Sequence, residues 1–262
     1  MMKFFKPARD SQTHQRGFFS YISESVVHIH NVLLQHPSEE LKIYHDLCNI
    51  FGYGKKNIYN ICFVQDEEDY VINTKDYSNI ESFNYVTTLN AYESESLNKE
   101  NLILSESIIK KYFVLNDEMK NMFSSRHSEI NFENTIGFHR RSTDMVTIHH
   151  VKTIDLNDIF NTLEKEEFEN IFLMSDNLND ILEFKKRYGN RLITYDEFTS
   201  SSSTETPFFK LENEESLIEQ HVKELVFGAY TLGMTKKFFC TKSNLSAFSI
   251  FSNSNLNFIR LN

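Results

Sequence analysis

Apolar positions along the second half of the chain alternate between two periods. Residues 135–138, 170–174, 191–194, 237–241 and 257–261 are short, nearly continuous apolar runs of strand length. Between them, apolar residues recur at three- and four-residue steps. Leu156, Ile159, Phe160 and Leu163 form one such face, with Asp155 placed to cap it. Residues 179–188 form a second helix, closed by Gly189. Residues 216–232 form a third, with Leu217, Ile218, Val222, Leu225, Ala229 and Leu232 on one side, and residues 243–246 open a last helix over 247–251. Strands separated by helices imply a parallel sheet with right-handed crossovers, a Rossmann-like α/β domain. No G-x-G-x-x-G run is present, so NAD binding is not expected.

The first half is less regular. Residues 3–5 read as a strand, and Ile22, Val26, Ile29, Val32 and Leu33 give a helix the turn at Gly17 can feed. Residues 39–51 read as an amphipathic helix, 58–64 and 85–89 as strands, and 102–113 as a helix. Apolar periodicity fades over 116–133. That places a boundary there, with residues 1–127 as one domain and 128–262 as the other.

Composition narrows the function. The chain has 262 residues, 40% hydrophobic and 24% charged, which fits a folded globular protein. Its net charge of −10 argues against a general nucleic-acid partner, whose affinity would rest on phosphate neutralisation. Cys48, Cys62 and Cys240 show no metal spacing, and three thiols cannot all pair. The first fifteen residues have too short an apolar run for a signal peptide, and no stretch has the length of a membrane span. The expectation is a cytoplasmic protein.

The chemistry concentrates where apolar strands break off. Residues 135–138 run straight into His139, Arg140, Arg141, Ser142, Thr143 and Asp144. Arginine suits phosphate because its planar fork donates two parallel, charge-assisted hydrogen bonds. Two more strand ends carry polar clusters, Ser175-Asp176-Asn177 and Ser243-Asn244-Leu245-Ser246. In a parallel sheet these ends share one edge, so all three clusters can meet one ligand. Arg141 would clamp a pyrophosphate. Ser243, Asn244 and Ser246, at a helix N-terminus, would cradle the same phosphates, and Asp176 would accept from a ribose or base. Plain N-capping explains the serines and Asp176 individually; three clusters on one edge favour a shared site.

The run from Ile136 to Asp144 resembles the H-x-R-x-x-D motif of the GDP-fucose-dependent fucosyltransferases, the α1,6, α1,2 and protein O-fucosyltransferase groups. Phe172 to Asn177 resembles their second motif and Phe239 to Ser246 their third, so the likeness covers about 135–250. Gly17-Phe18-Phe19-Ser20 is similar to the first loop of their N-terminal domain. The resemblance implies a GT-B-like fold of two Rossmann-like domains, here with a reduced N-terminal, acceptor-side domain. It implies transfer of fucose from GDP-fucose to a glycan with inversion, without metal or cofactor. Arg141 would bind the donor β-phosphate, with His139 beside the donor and Asp144 in the donor site. Gly17, Phe18 and Phe19 would line the cleft between domains. Members of the α1,6 group carry an acid five residues after the motif Asp, proposed as base; His149 stands there. Imidazole can serve as a base near neutral pH. The family often reads guanine with an acid on the helix before the third motif, and Glu224 lies in that region. The acceptor is expected to be a bacterial-type surface glycan precursor, reached by peripheral contact if membrane-linked. The alternative is a non-catalytic nucleotide-sugar-binding or assembly protein on a degenerate transferase fold.

Overall fold

A computed structural model describes residues 3–5, 18–35, 37, 41–43, 45, 57–65, 98–142, 154–195 and 215–261. In chain order its strands and helices are β1 (Lys3–Phe5), α1 (Phe18–Gln35), β2 (Leu41–Ile43), α2 (Lys99–Tyr112), α3 (Asp117–His127), β3 (Thr135–Arg140), α4 (Leu156–Leu163), β4 (Asn170–Ser175), α5 (Leu178–Tyr188), β5 (Leu192–Ile193), α6 (Glu215–Met234), β6 (Lys237–Cys240), α7 (Asn244–Phe251) and β7 (Phe258–Arg260).

Five of these strands form one sheet in the order β5-β4-β3-β6-β7, and every pairing in it is parallel. The chain leaves β3 toward β4 on one side and returns to β6 on the other. That reversal is a topological switch point, and it lies beside the carboxyl ends of β3 and β6.

Both faces of the sheet are covered. Ile136 and Phe138 of β3 and Leu173 of β4 pack on Ile159 and Phe160 of α4 and Phe184 of α5. Phe172, Met174 and Phe238 pack instead with Val222, Val226 and Phe227 of α6. Strand alternation therefore sends Gly137 and His139 to the α6 side. A Cβ at Gly137 would lie 2.7 Å from Thr235 Oγ1 and 3.0 Å from Leu232 Cδ2, so glycine lets α6 lie close against β3.

The N-terminal helices join the α6-side core. Phe19 meets Phe248 of α7 with ring centroids 5.1 Å apart. Ser23 Oγ donates to the Asn244 carbonyl (2.8 Å), and Asn244 Nδ2 donates to Ser20 Oγ (2.9 Å). The mixed α/β architecture with a parallel sheet is as expected. Two local expectations change. Residues 41–43, read as part of a helix, form β2, paired parallel with β1. Residues 58–61, read as strand, form a 3-10 turn that Asn57 caps by accepting from Tyr59 N. The expected boundary over 116–133 contains α3, whose Glu118 meets Lys223 of α6 (2.5 Å) and whose His127 meets Thr231 (2.9 Å). The strand expected at 85–89 lies outside the described residues. Among the described residues no helix is long and apolar enough to cross a membrane.

Candidate functional site

The three polar clusters do meet at one edge. The β3–β6 ladder extends past the strands, because Thr241 N donates to the His139 carbonyl (3.0 Å). Arg141 N then donates to Thr241 Oγ1 (3.0 Å). Ser142 N donates to Asp176 Oδ1 (2.9 Å), which ties the end of β3 to the turn after β4. The backbone around Arg141 is thus held from both neighbouring strand ends.

His139 is buried between these elements. Its Nδ1 lies 2.6 Å from Ser246 Oγ and 3.2 Å from Ser243 Oγ. Ser243 Oγ also accepts from Ser246 N (3.0 Å) as the N-cap of α7, and Ser246 Oγ donates to the Thr241 carbonyl (3.1 Å). The phosphate-facing arrangement expected of Ser243, Asn244 and Ser246 is therefore altered. The two serine side chains turn inward and orient His139, and Asn244 is tied to α1. Burial, reinforced by the Arg141 guanidinium, holds the His139 imidazole neutral, with its pKa down to about 3.

Arg141 is partly buried and its charge also bears on His221 of α6, whose pKa burial and Arg141 together push down to about 3. His221 was absent from the sequence reading. The signal for it is a polar residue on the edge of the apolar stripe, three after Ile218 and four before Leu225. The pair of neutral imidazoles beside a permanent cation makes a site in which Arg141 supplies the positive charge. An arginine so placed can hold a phosphate or carboxylate.

The other arginine is not in this site. Arg140 runs to the opposite face, where its Nε meets Asp180 Oδ2 of α5 at 3.0 Å, both side chains nearly buried. Ser142 Oγ (3.0 Å) and Ser175 Oγ (3.2 Å) donate to the same Asp180 oxygen. Burial raises the Asp180 pKa, while Arg140 and the two hydroxyls work against that rise. Thr241 and Asp180 were likewise missed, and Ser142, named in the first polar cluster, had been given no role. Asp180 sits three residues after the cap Asn177, where an acid reads as ordinary first-turn chemistry.

Asp176 is at the site, with Oδ1 engaged by Ser142 N. Glu224 is buried and accepts from Gln220 Nε2 (2.8 Å). It lines a pocket of ≈ 330 Å³ with Met122, Arg126, Glu219 and Lys223, beside the Arg126 guanidinium that lies 4.3 Å from the Tyr195 ring centre. Phe18 and Phe19, expected to line a cleft, are 0% and 5% exposed and belong to the core between α1 and α7. Apolar burial of both rings accounts for that placement. Gly17, Asp144 and His149 lie outside the described residues.

No family model and no curated protein matches this chain. Solved structures do. The NodZ α-1,6-fucosyltransferase soaked with GDP-fucose superposes with a TM-score of 0.56 at 10% identity, covering 97% of this chain and 93% of that one. The same enzyme co-crystallised with GDP gives 0.57 at 11% identity, covering 96% and 92%. Fucosyltransferase NodZ from Bradyrhizobium gives 0.55 at 11% identity, over 96% and 93%. At these identities the likeness is one of fold.

Proposed function

We propose that the protein is a glycosyltransferase that moves fucose from GDP-fucose to a glycan acceptor, with inversion and without a metal ion. The observation that carries this reading is the position of Arg141. It follows the strand at the topological switch point, with its backbone tied to Thr241 and its charge beside neutral His139 and His221. The shared fold with a fucosyltransferase that was soaked with GDP-fucose and co-crystallised with GDP supports the donor class.

In this mechanism the Arg141 fork grips the donor diphosphate. The acceptor hydroxyl oxygen attacks the anomeric carbon from the face opposite the nucleotide. The carbon–oxygen bond to the β-phosphate breaks, and its electron pair leaves with GDP. Arg141 meets that growing negative charge, and a positioned cation does so without reorganising as the reaction proceeds. The acceptor proton passes to a base, which we assign to His149, five residues after Asp144. Asp144, Asp176 and His139 complete the donor side, with residues 1–127 on the acceptor side.

A thermal-shift panel tests the donor class. Stabilisation by GDP and GDP-fucose, with none by UDP, CMP or NAD, supports it. Stabilisation by UDP or CMP in place of GDP would assign another nucleotide sugar.

A further inference from the structure

We propose that Asp180 is a positioning residue of the donor site, acting through Ser142 to hold the backbone that aims Arg141; this rests on the donor-site reading above. One carboxylate oxygen, Asp180 Oδ2, gathers three donors. They are Arg140 Nε at 3.0 Å, Ser142 Oγ at 3.0 Å and Ser175 Oγ at 3.2 Å. The first two come from the residues on either side of Arg141. With both neighbours anchored to one buried atom, the intervening residue has little freedom to rotate about the strand axis.

Two further bonds complete the clamp. Arg141 N is fixed to Thr241 Oγ1, and Ser142 N to Asp176 Oδ1. Segment 140–142 is therefore held by three elements of the fold: the ends of β4 and β6, and the first turn of α5. An ion pair between Arg140 and Asp180 would satisfy both charges by itself. The bond from Ser142 Oγ adds nothing that Arg140 requires, but it fixes the residue that follows Arg141. Asp180 also keeps Arg140 occupied on the far face, so a diphosphate meets one guanidinium in one orientation. Electrostatic stabilisation depends on such preorganisation, and a displacement of about 1 Å at a catalytic group can cost about a hundredfold in rate.

Asp180→Asn leaves Arg140 without its buried counter-charge and can fail to fold, so Ser142 carries the test. Ser142→Ala removes only the hydroxyl link, and Ser142→Thr retains it. GDP is titrated calorimetrically into wild type and both variants, and each unliganded protein is melted. The expected result is binding by wild type, an affinity about tenfold weaker in Ser142→Ala, and recovery to within about twofold in Ser142→Thr, with similar melting temperatures throughout. Wild-type affinity in Ser142→Ala, or equal loss in Ser142→Thr, would overturn the positioning role while leaving the donor reading intact. Absence of GDP binding by wild type would overturn the donor reading and the positioning role with it.

Discussion

Arg140 and Arg141 are neighbours in the chain, yet they serve opposite faces of the sheet. Arg140 pairs with Asp180 on the α5 side at 3.0 Å, while the Arg141 charge bears on His139 and His221 on the α6 side. The pleat dictates this division, since successive side chains leave a strand in opposite directions. The two arginines should therefore fail differently. Arg140→Ala strands the buried Asp180 carboxylate and is expected to cost about 3–5 kcal/mol of folding stability. Denaturant unfolding measures that loss, and GDP affinity in the surviving folded protein should fall much less than on substitution of Arg141. Unchanged stability in Arg140→Ala would show that the ion pair is not formed.

The approach of α6 to β3 depends on Gly137. An alanine there puts its Cβ 2.7 Å from Thr235 Oγ1, a buried hydroxyl that donates to the Leu232 carbonyl (2.8 Å). A shift of Thr235 away from β3 would disturb that bond. Gly137→Ala is expected to destabilise by about 1–3 kcal/mol, as overpacking generally does. Paired substitution of Thr235 by alanine should recover part of the loss; a neutral single variant would mean that the helix stands further from the sheet.

The β/α half was legible because its central strands β3, β4 and β6 are buried on both faces and helices such as α4 and α5 on one, so apolar runs and apolar stripes alternate. The capping residue Asp155 and the stop at Gly189 stood where the pattern placed them, whereas α5 is capped by Asn177 and not by Asp176. Helix α3 escaped notice because Met119 is its one fully buried residue, and a helix with so little core carries a weak apolar period. Its ends were readable all the same, with Asn116 accepting from Met119 N, acids in the first turn and bases in the last. The run from Ile58 to Val64 is ambiguous by composition, and the Asn57 cap decides it for a turn. At the site, the sequence located the strand ends but not the direction of each side chain. Ser243 and Ser246 turned to His139, and His221 and Asp180 came from helices whose periodicity hid them.

Acid should unfold the protein early. Burial depresses His45 and His139 to about 3 and His127 to about 4, so all three are neutral in the fold near pH 7. The unfolded chain takes up protons below about pH 6.5, and the folded chain does not until pH 3–4. Their contribution is complete above the unfolded pKa and is lost as pH falls through that window, by about 1.4 kcal/mol per pH unit for each histidine. His45 stacks on Tyr59 with ring centroids 4.3 Å apart, and neither ring nitrogen has a partner among the described residues. His45→Phe should preserve the stack and flatten the decline of melting temperature between pH 6.5 and pH 4. An unaltered slope would place the titration elsewhere.

His149 should matter for turnover and not for donor affinity. A base at that position takes the acceptor proton, and its removal typically costs about 10²–10⁴-fold in rate. His149→Ala is expected to bind GDP as wild type does while losing transfer. His150→Ala, one residue on, serves as the control. Full transfer by His149→Ala would exclude it as the base, and lost GDP binding would move it into the donor site.

Chelation gives an independent check on how leaving-group charge is met. Arg141 is assigned the role that a divalent cation plays in metal-dependent transfer, so EDTA should leave donor binding and turnover unchanged. Activity lost to EDTA and restored by Mg²⁺ or Mn²⁺ would contradict that assignment.

Calorimetric titration of GDP into wild type and Arg141→Lys addresses the account at its centre. Lysine keeps the charge and loses the two-pronged geometry. Saturable binding to wild type at one site is expected, with affinity at least about tenfold weaker in Arg141→Lys and folding stability retained. Equal affinities in the two proteins would show that the nucleotide is held without Arg141 and that the site lies elsewhere.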